Sequence, residues 1–242
     1  MAIPRTLPVA MLGSVLAWSV RAAALAYEAV PVLDGGTLAG VVRYAGAPPS
    51  PERVTVTKDV PVCGQEKSLQ VVRLGDAGGL RDVAVVVRAT RGKPLVVPSE
   101  PVVFDQRGCE YRPFVLAFPA GSTIQVLNSD GVLHNVHVMG KANPQTNRAM
   151  PRFQKQLAWR VERPEWPIPV KCDVHPWMRA YWLAMDHPYY AVTEASGRFR
   201  IDDLVPGDYA VDLWHPALGS KVEQVTIRPR ETTTVSWSFA AP

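Results

Sequence analysis

From residue 37 onward the chain is written in short runs of Val, Ile, Thr, Tyr and Phe. Most alternate apolar with polar positions, and each ends at Gly, Pro, Asp or Asn. Alternation with period two marks strands that bury one face. Thirteen are predicted: Thr37–Tyr44, Asp82–Ala89, Val102–Asp105, Phe114–Phe118, Thr123–Asn128, Asn135–Met139, Val170–Cys172, Ala180–Met185, Ala191–Thr193, Arg198–Ile201, Asp208–Trp214, Lys221–Ile227 and Thr233–Phe239. Short strands separated by turn residues favour a sandwich or barrel over βαβ units. Prolines 144, 151, 164, 167 and 169 argue against a long helix in the stretch between His137 and Cys172. A helical turn around Arg152–Leu157 is the most it allows. The expected fold class is all-β.

The C-terminal third has its own grammar. Thr193-Glu194-Ala195-Ser196-Gly197 is a turn that opens a strand, and Pro206-Gly207 sets a second turn before Tyr209, Val211 and Leu213 alternate on one face. This pattern resembles small carboxypeptidase-regulatory, transthyretin-like β-sandwiches. The Gly-x-Val strand that usually opens such modules is found far upstream, as Gly40-Val41-Val42. The resemblance therefore implies a discontinuous outer sandwich over 34–95 plus 187–242, with a second module over 96–186 inserted in it. Two sequential domains and one enlarged sandwich are the alternatives.

Residues 1–26 stand apart. Arg5, an apolar stretch from Leu7 to Val20, and Ala24-Leu25-Ala26 before Tyr27 predict a secretory signal peptide. The stretch is shorter than the roughly 20 residues that span a bilayer, and no later segment reads as an integral membrane span. Export to the periplasm is expected, with secretion as second choice. Removing Arg5 and Arg21 lowers the formal charge from +4 to +2. That charge is too weak and too scattered to suggest nucleic acid. Three cysteines in an exported chain leave one unpaired. If Cys172 stays a thiolate, Cys63 and Cys109 form the disulfide bond, although sequence alone does not forbid a pair with Cys172.

The chemistry gathers in Cys172-Asp173-Val174-His175-Pro176-Trp177-Met178, preceded by Leu133-His134-Asn135-Val136-His137. A thiolate, two imidazoles and a thioether form a soft-to-borderline donor set. With the Met as weak axial donor, it suits a blue-copper site. His134, Cys172, His175 and Met178 are the candidate metal ligands. Asn135 is placed to bond across to the backbone near Cys172 and lock the two ligand loops. His134 and His137 point to opposite faces of a regular strand, so both cannot serve one ion from it. A zinc cage of His134, His137, Cys172 and His175 is the chemical alternative, and Met178 argues against it. His187 and His215, each before a proline, read as strand-end or connecting residues. Met139, Met150 and Met185 read as packing.

The His-Asn-Val sequence and the Cys-x2-His-x2-Met loop resemble cupredoxins, with a loop spacing similar to amicyanin. Together with Asp105-Gln-x-Gly-Cys-x-Tyr-x-Pro113, they resemble bacterial plastocyanin-like, methylamine-utilisation-like proteins. The resemblance implies a Greek-key cupredoxin sandwich holding one type 1 copper, ligated by His134, Cys172, His175 and weakly by Met178. It also implies one-electron transfer with a redox protein such as a cytochrome or membrane oxidoreductase, and His175 as the edge where electrons enter and leave. Leu133 and Phe114 depart from the pattern, which often has Pro and His there. The four ligands would fill the coordination sphere, and no nucleophile, zinc-protease or phosphate-loop motif is present, so no enzyme is expected. The rivals are a copper carrier or sensor, and a non-catalytic structural or binding sandwich.

Overall fold

The computed structural model describes residues 26–240. The expected leader lies outside them, Ala26 excepted. The regular elements are almost all strands; the helical ones are a four-residue turn, Val60–Cys63, and a 3-10 turn, Asp76–Gly78. Each of the thirteen predicted strands is present, twelve of them within three residues of the expected bounds, and Val170–Cys172 as the longer Glu165–Lys171. No helix among the described residues is long and apolar enough to cross a membrane.

Two sheets surround the candidate ligands. One runs in the order Gln156–Arg160, Thr123–Asn128, Val102–Gln106, Tyr111–Arg112. The other runs Thr146–Met150, His134–Val138, Glu165–Lys171, Arg179–Met185, Val115–Pro119. Between them Phe104, Phe118, Ile124, Val126, Val136, Ile168 and Trp182 are buried in one cluster. Two further sheets pack on a second cluster that includes Leu38, Val85, Tyr189, Val211 and Leu213. Their orders are Tyr190–Val192, Ala84–Val87, Gly207–His215, Gly219–Ile227, and Arg198–Leu204, Gly36–Ala45, Thr232–Ala240. Val56 and Cys63 lie within the 34–95 span expected for the outer sandwich, yet they pack in the first cluster, with Val54 and Leu69 against it.

The helical turn expected at Arg152–Leu157 is replaced by a tight turn in which Gln154 N–H donates to Pro151 O at 2.8 Å, followed by the strand Gln156–Arg160. Leu157 and Trp159 are buried while Gln156, Ala158 and Arg160 are exposed. That is a period of two, and tertiary burial of Trp159 decides it. The strand ending at Lys171 is also longer than expected. It accommodates Pro167 and Pro169 at exposed positions, beside a register irregularity between Glu165 and Ile168.

Candidate metal centre

Residues 172–178 link two neighbouring strands, Glu165–Lys171 and Arg179–Met185, that pair antiparallel with Lys171 opposite Arg179. The loop is closed by backbone bonds from Cys172 N–H to Met178 O at 3.1 Å and from Met178 N–H to His175 O at 2.9 Å. On the other side, Lys171 pairs with His137, so His134, at the start of its strand, reaches the loop from the adjacent position. Residues far apart in sequence thus meet because their strands are sheet neighbours.

His134, Cys172 and His175 form a buried cluster able to hold a metal ion, their ligand atoms all within 4.8 Å of one another. The His134 and His175 Nδ1 atoms face each other at 3.0 Å, and Cys172 Sγ lies 3.9 Å from His175 Nδ1. These separations suit one first-row ion at about 2.0–2.3 Å from each donor. His175 N–H points at the Cys172 sulfur at 3.4 Å. Met178 is buried beside this group, its backbone closing the loop. An open cleft of about 180 Å³, lined in part by Leu69, Tyr111, Phe114 and Trp177, borders it on the Met178 side.

Both rings hold carboxylates on their far nitrogens. His134 Nε2 is 2.9 Å from Asp130 Oδ2, and His175 Nε2 is 3.0 Å from Asp59 Oδ2. A carboxylate on the outer nitrogen fixes the tautomer and turns the inner lone pair toward a metal. Burial disfavours charge on His134, but the Asp130 carboxylate and the Cys172 sulfur outweigh it and raise the ring to about 9. Burial likewise opposes a Cys172 thiolate, yet hydrogen bonds from His134, from His175 and from the backbone bring the thiol down to about 6. The metal-free site is thus poised toward a thiolate, the form that binds metals. Asp130 is held low against its burial by His134 and by the Cys109 and Gly108 N–H groups.

Asn135 spans the two ligand loops. Its Oδ1 accepts from Asp173 N–H at 2.7 Å and Val174 N–H at 3.2 Å, with Cys172 Sγ at 3.3 Å, and its Nδ2 donates to Asn147 Oδ1 at 2.7 Å. His137 is turned away: its Nδ1 meets Asp173 and its Nε2 meets Gln145. The alternative zinc cage of His134, His137, Cys172 and His175 therefore lacks one of its imidazoles. Cys63 and Cys109 are bonded to each other, with Cα atoms 5.3 Å apart, and Cys172 is free. Trp177 covers the site, its ring 5.1 Å from that of His175 and its Nε1 donating to Cys109 O. His215 and His187 lie elsewhere, their Nδ1 atoms accepting from Ala217 and Tyr189 N–H.

One expectation needs correction. His175 presents no exposed edge; its side chain is 0% exposed, closed over by Asp59 and by Cys63 Sγ, 3.8 Å from Nε2. Asp59 and Asp130 are the site residues that the sequence did not reveal as such. Asp130 sits only four residues before His134, where a carboxylate beside a ligand could have been suspected. For Asp59 the sole pointer was the bridge two positions beyond Pro61.

Residues 169–235 match the model of polysaccharide lyase family 4, domain II. No curated protein matches the chain. Among solved structures, part of the chain is similar to amicyanin from Paracoccus versutus (21% identity, 42% of this chain and 97% of that one, TM-score 0.31). It is also similar to a purple cupredoxin from Nitrosopumilus maritimus (18%, 35% and 99%, TM-score 0.29). The copper-containing nitrite reductase from Thermus scotoductus SA-01 is similar at 18% identity over 38% of this chain (TM-score 0.32), which spans a quarter of that enzyme's length.

Proposed function

We propose that this is a cupredoxin-type electron carrier, holding one type 1 copper on His134, Cys172 and His175 with Met178 as weak axial donor. The observation that carries the reading is the pair of facing Nδ1 atoms, 3.0 Å apart, beside a buried sulfur. Two imidazoles and one thiolate, with a thioether in the closing loop, is the donor set copper accepts in both oxidation states. Bound copper would supply a one-electron couple. The protein's own part is to hold the ligands still: Asn135 ties the loops, and Asp59 and Asp130 fix the rings. Rigid ligands keep rearrangement between oxidation states small.

In this reading the chain is not itself an enzyme. It is exported to the periplasm and exchanges electrons with a redox protein, a cytochrome or a membrane oxidoreductase. The copper module over 96–186 is carried by the outer sandwich of 34–95 and 187–242.

Cys172→Ser tests it. A hydroxyl is a harder donor, much less readily deprotonated than a thiol, and cannot form the Cu–S bond behind the visible charge-transfer band. Wild-type protein loaded with Cu(II) is expected to be intensely coloured, and the variant colourless with an unchanged far-UV circular dichroism spectrum. A wild type without the band, or a variant that keeps it, refutes the proposal.

A further inference from the structure

The groups touching His175 Nε2, Asp59 and Cys63, come from a loop outside the two sheets around the metal site. The loop leaves and returns through the paired strands Glu52–Thr55 and Glu66–Leu69, and its neck is closed by Val56 N–H donating to Gln65 O at 2.9 Å. Val56 and Cys63 are sunk in the metal-side core. Between them Asp59 begins the turn Val60–Cys63, but its carboxylate caps none of that turn's amides. The side chain goes to His175 instead.

Asp59 also adopts φ +53, and Cys109 at the far end of the bridge adopts φ +54. Left-handed backbone at non-glycine residues is uncommon and persists where the surroundings enforce it. The same bridge reaches the other imidazole. Asp130, which holds His134 Nε2, takes the Cys109 and Gly108 N–H groups on its two oxygens. One disulfide thus connects the carboxylates on both rings.

Resting on the copper reading, we propose that Val56–Gln65 is a cap completing the metal centre, with Asp59 as the positioning residue for His175 and Cys63–Cys109 as the tether. Asp59 keeps the proton on Nε2, so that the Nδ1 lone pair faces His134 and Cys172. Its negative charge favours the more highly charged Cu(II) over Cu(I). The cap keeps solvent off the ring.

The test uses the full chain and two variants. D59A removes the contact; D59N keeps an oxygen acceptor and removes the charge. In metal-free protein, the His175 Nε2 proton is followed by nitrogen-15 NMR. D59A is expected to speed its exchange with water at least tenfold. In copper-loaded protein, D59N is expected to raise the Cu(I)-to-Cu(II) affinity ratio about tenfold, a rise of about 59 mV in potential. Unchanged proton exchange in D59A overturns the cap, whether or not copper binds. Unchanged potential in D59N overturns the charge role. Faster exchange in a protein that lacks the Cys172-dependent band retains the cap and overturns the copper reading, so the two failures are told apart.

Discussion

Asn135→Ala isolates what joins the two ligand loops. The wild-type Oδ1 accepts two backbone N–H groups, from Asp173 and Val174, and the residue is only 5% exposed. Alanine leaves both donors without their partner. An unsatisfied buried donor costs about 1–3 kcal/mol. Water reaches these two in part, because the Asp173 side chain is 42% exposed, so the lower half of that range applies to each. The expected loss is about 2–4 kcal/mol, equivalent to a fall of about 4–16 °C in Tm for a chain of this size. Urea unfolding of metal-free protein with the bridge intact, followed by near-UV circular dichroism, measures it. Asn147→Ala serves as control, since Asn147 is exposed and bonds Asn135 and Asp173 by side chain alone; it is expected to cost under about 1 kcal/mol. A loss below about 0.5 kcal/mol for Asn135→Ala, with an unchanged m-value, would show that the loops are held by other means.

The other predictions concern the axial position and pH. Met178→Leu is expected to keep most of the visible band while shifting the reduction potential, because three strong donors remain; voltammetry and absorption on one sample decide it, and loss of the band would show that Met178 does more than weak axial ligation. Burial, helped by Arg73, holds His215 down at about 4, and its Nε2 has no partner among the described residues. A histidine that titrates lower in the folded state binds its proton first in the unfolded one. The contribution of His215 should therefore be complete above about pH 6.5 and fall on the order of 3 kcal/mol on acidification to pH 4. His215→Gln should flatten that slope, and urea curves at pH 7 and 4.5 that drop equally in both proteins would contradict it.

What could be read in the sequence follows from how local each signal is. Alternation in Thr123–Asn128 or Asp208–Trp214 is imposed by the half-buried strand itself, so it shows without tertiary knowledge. Thr146–Met150 has no such mark: four of its five residues are exposed, and only its pairing with His134–Val138 makes it a strand. The cluster of His134, Cys172 and His175, able to hold a metal ion, was legible because its chemistry is rare and two of its members share a short loop. Asp59 was not. It belongs to a long connection outside the predicted strands, and it meets His175 only through folding and the Cys63–Cys109 bridge. Pairing of those two cysteines was reached by elimination, which carries no information about what the bridge brings over the site.

The pairing of Gly36–Ala45 with Thr232–Ala240, parallel and in continuous register from Thr37 opposite Thr232 to Ala45 opposite Ala240, constrains the order of assembly. Thr232 is synthesised 195 residues after Thr37, and contacts so distant in sequence close slowly. The capping loop and all the residues proposed to hold copper emerge in the interval. Biogenesis therefore gives the ligand loops time to find one another while the first strand still lacks the partner that completes its sheet. Loss of the last nine-residue strand would leave an apolar edge waiting for a chain that never arrives.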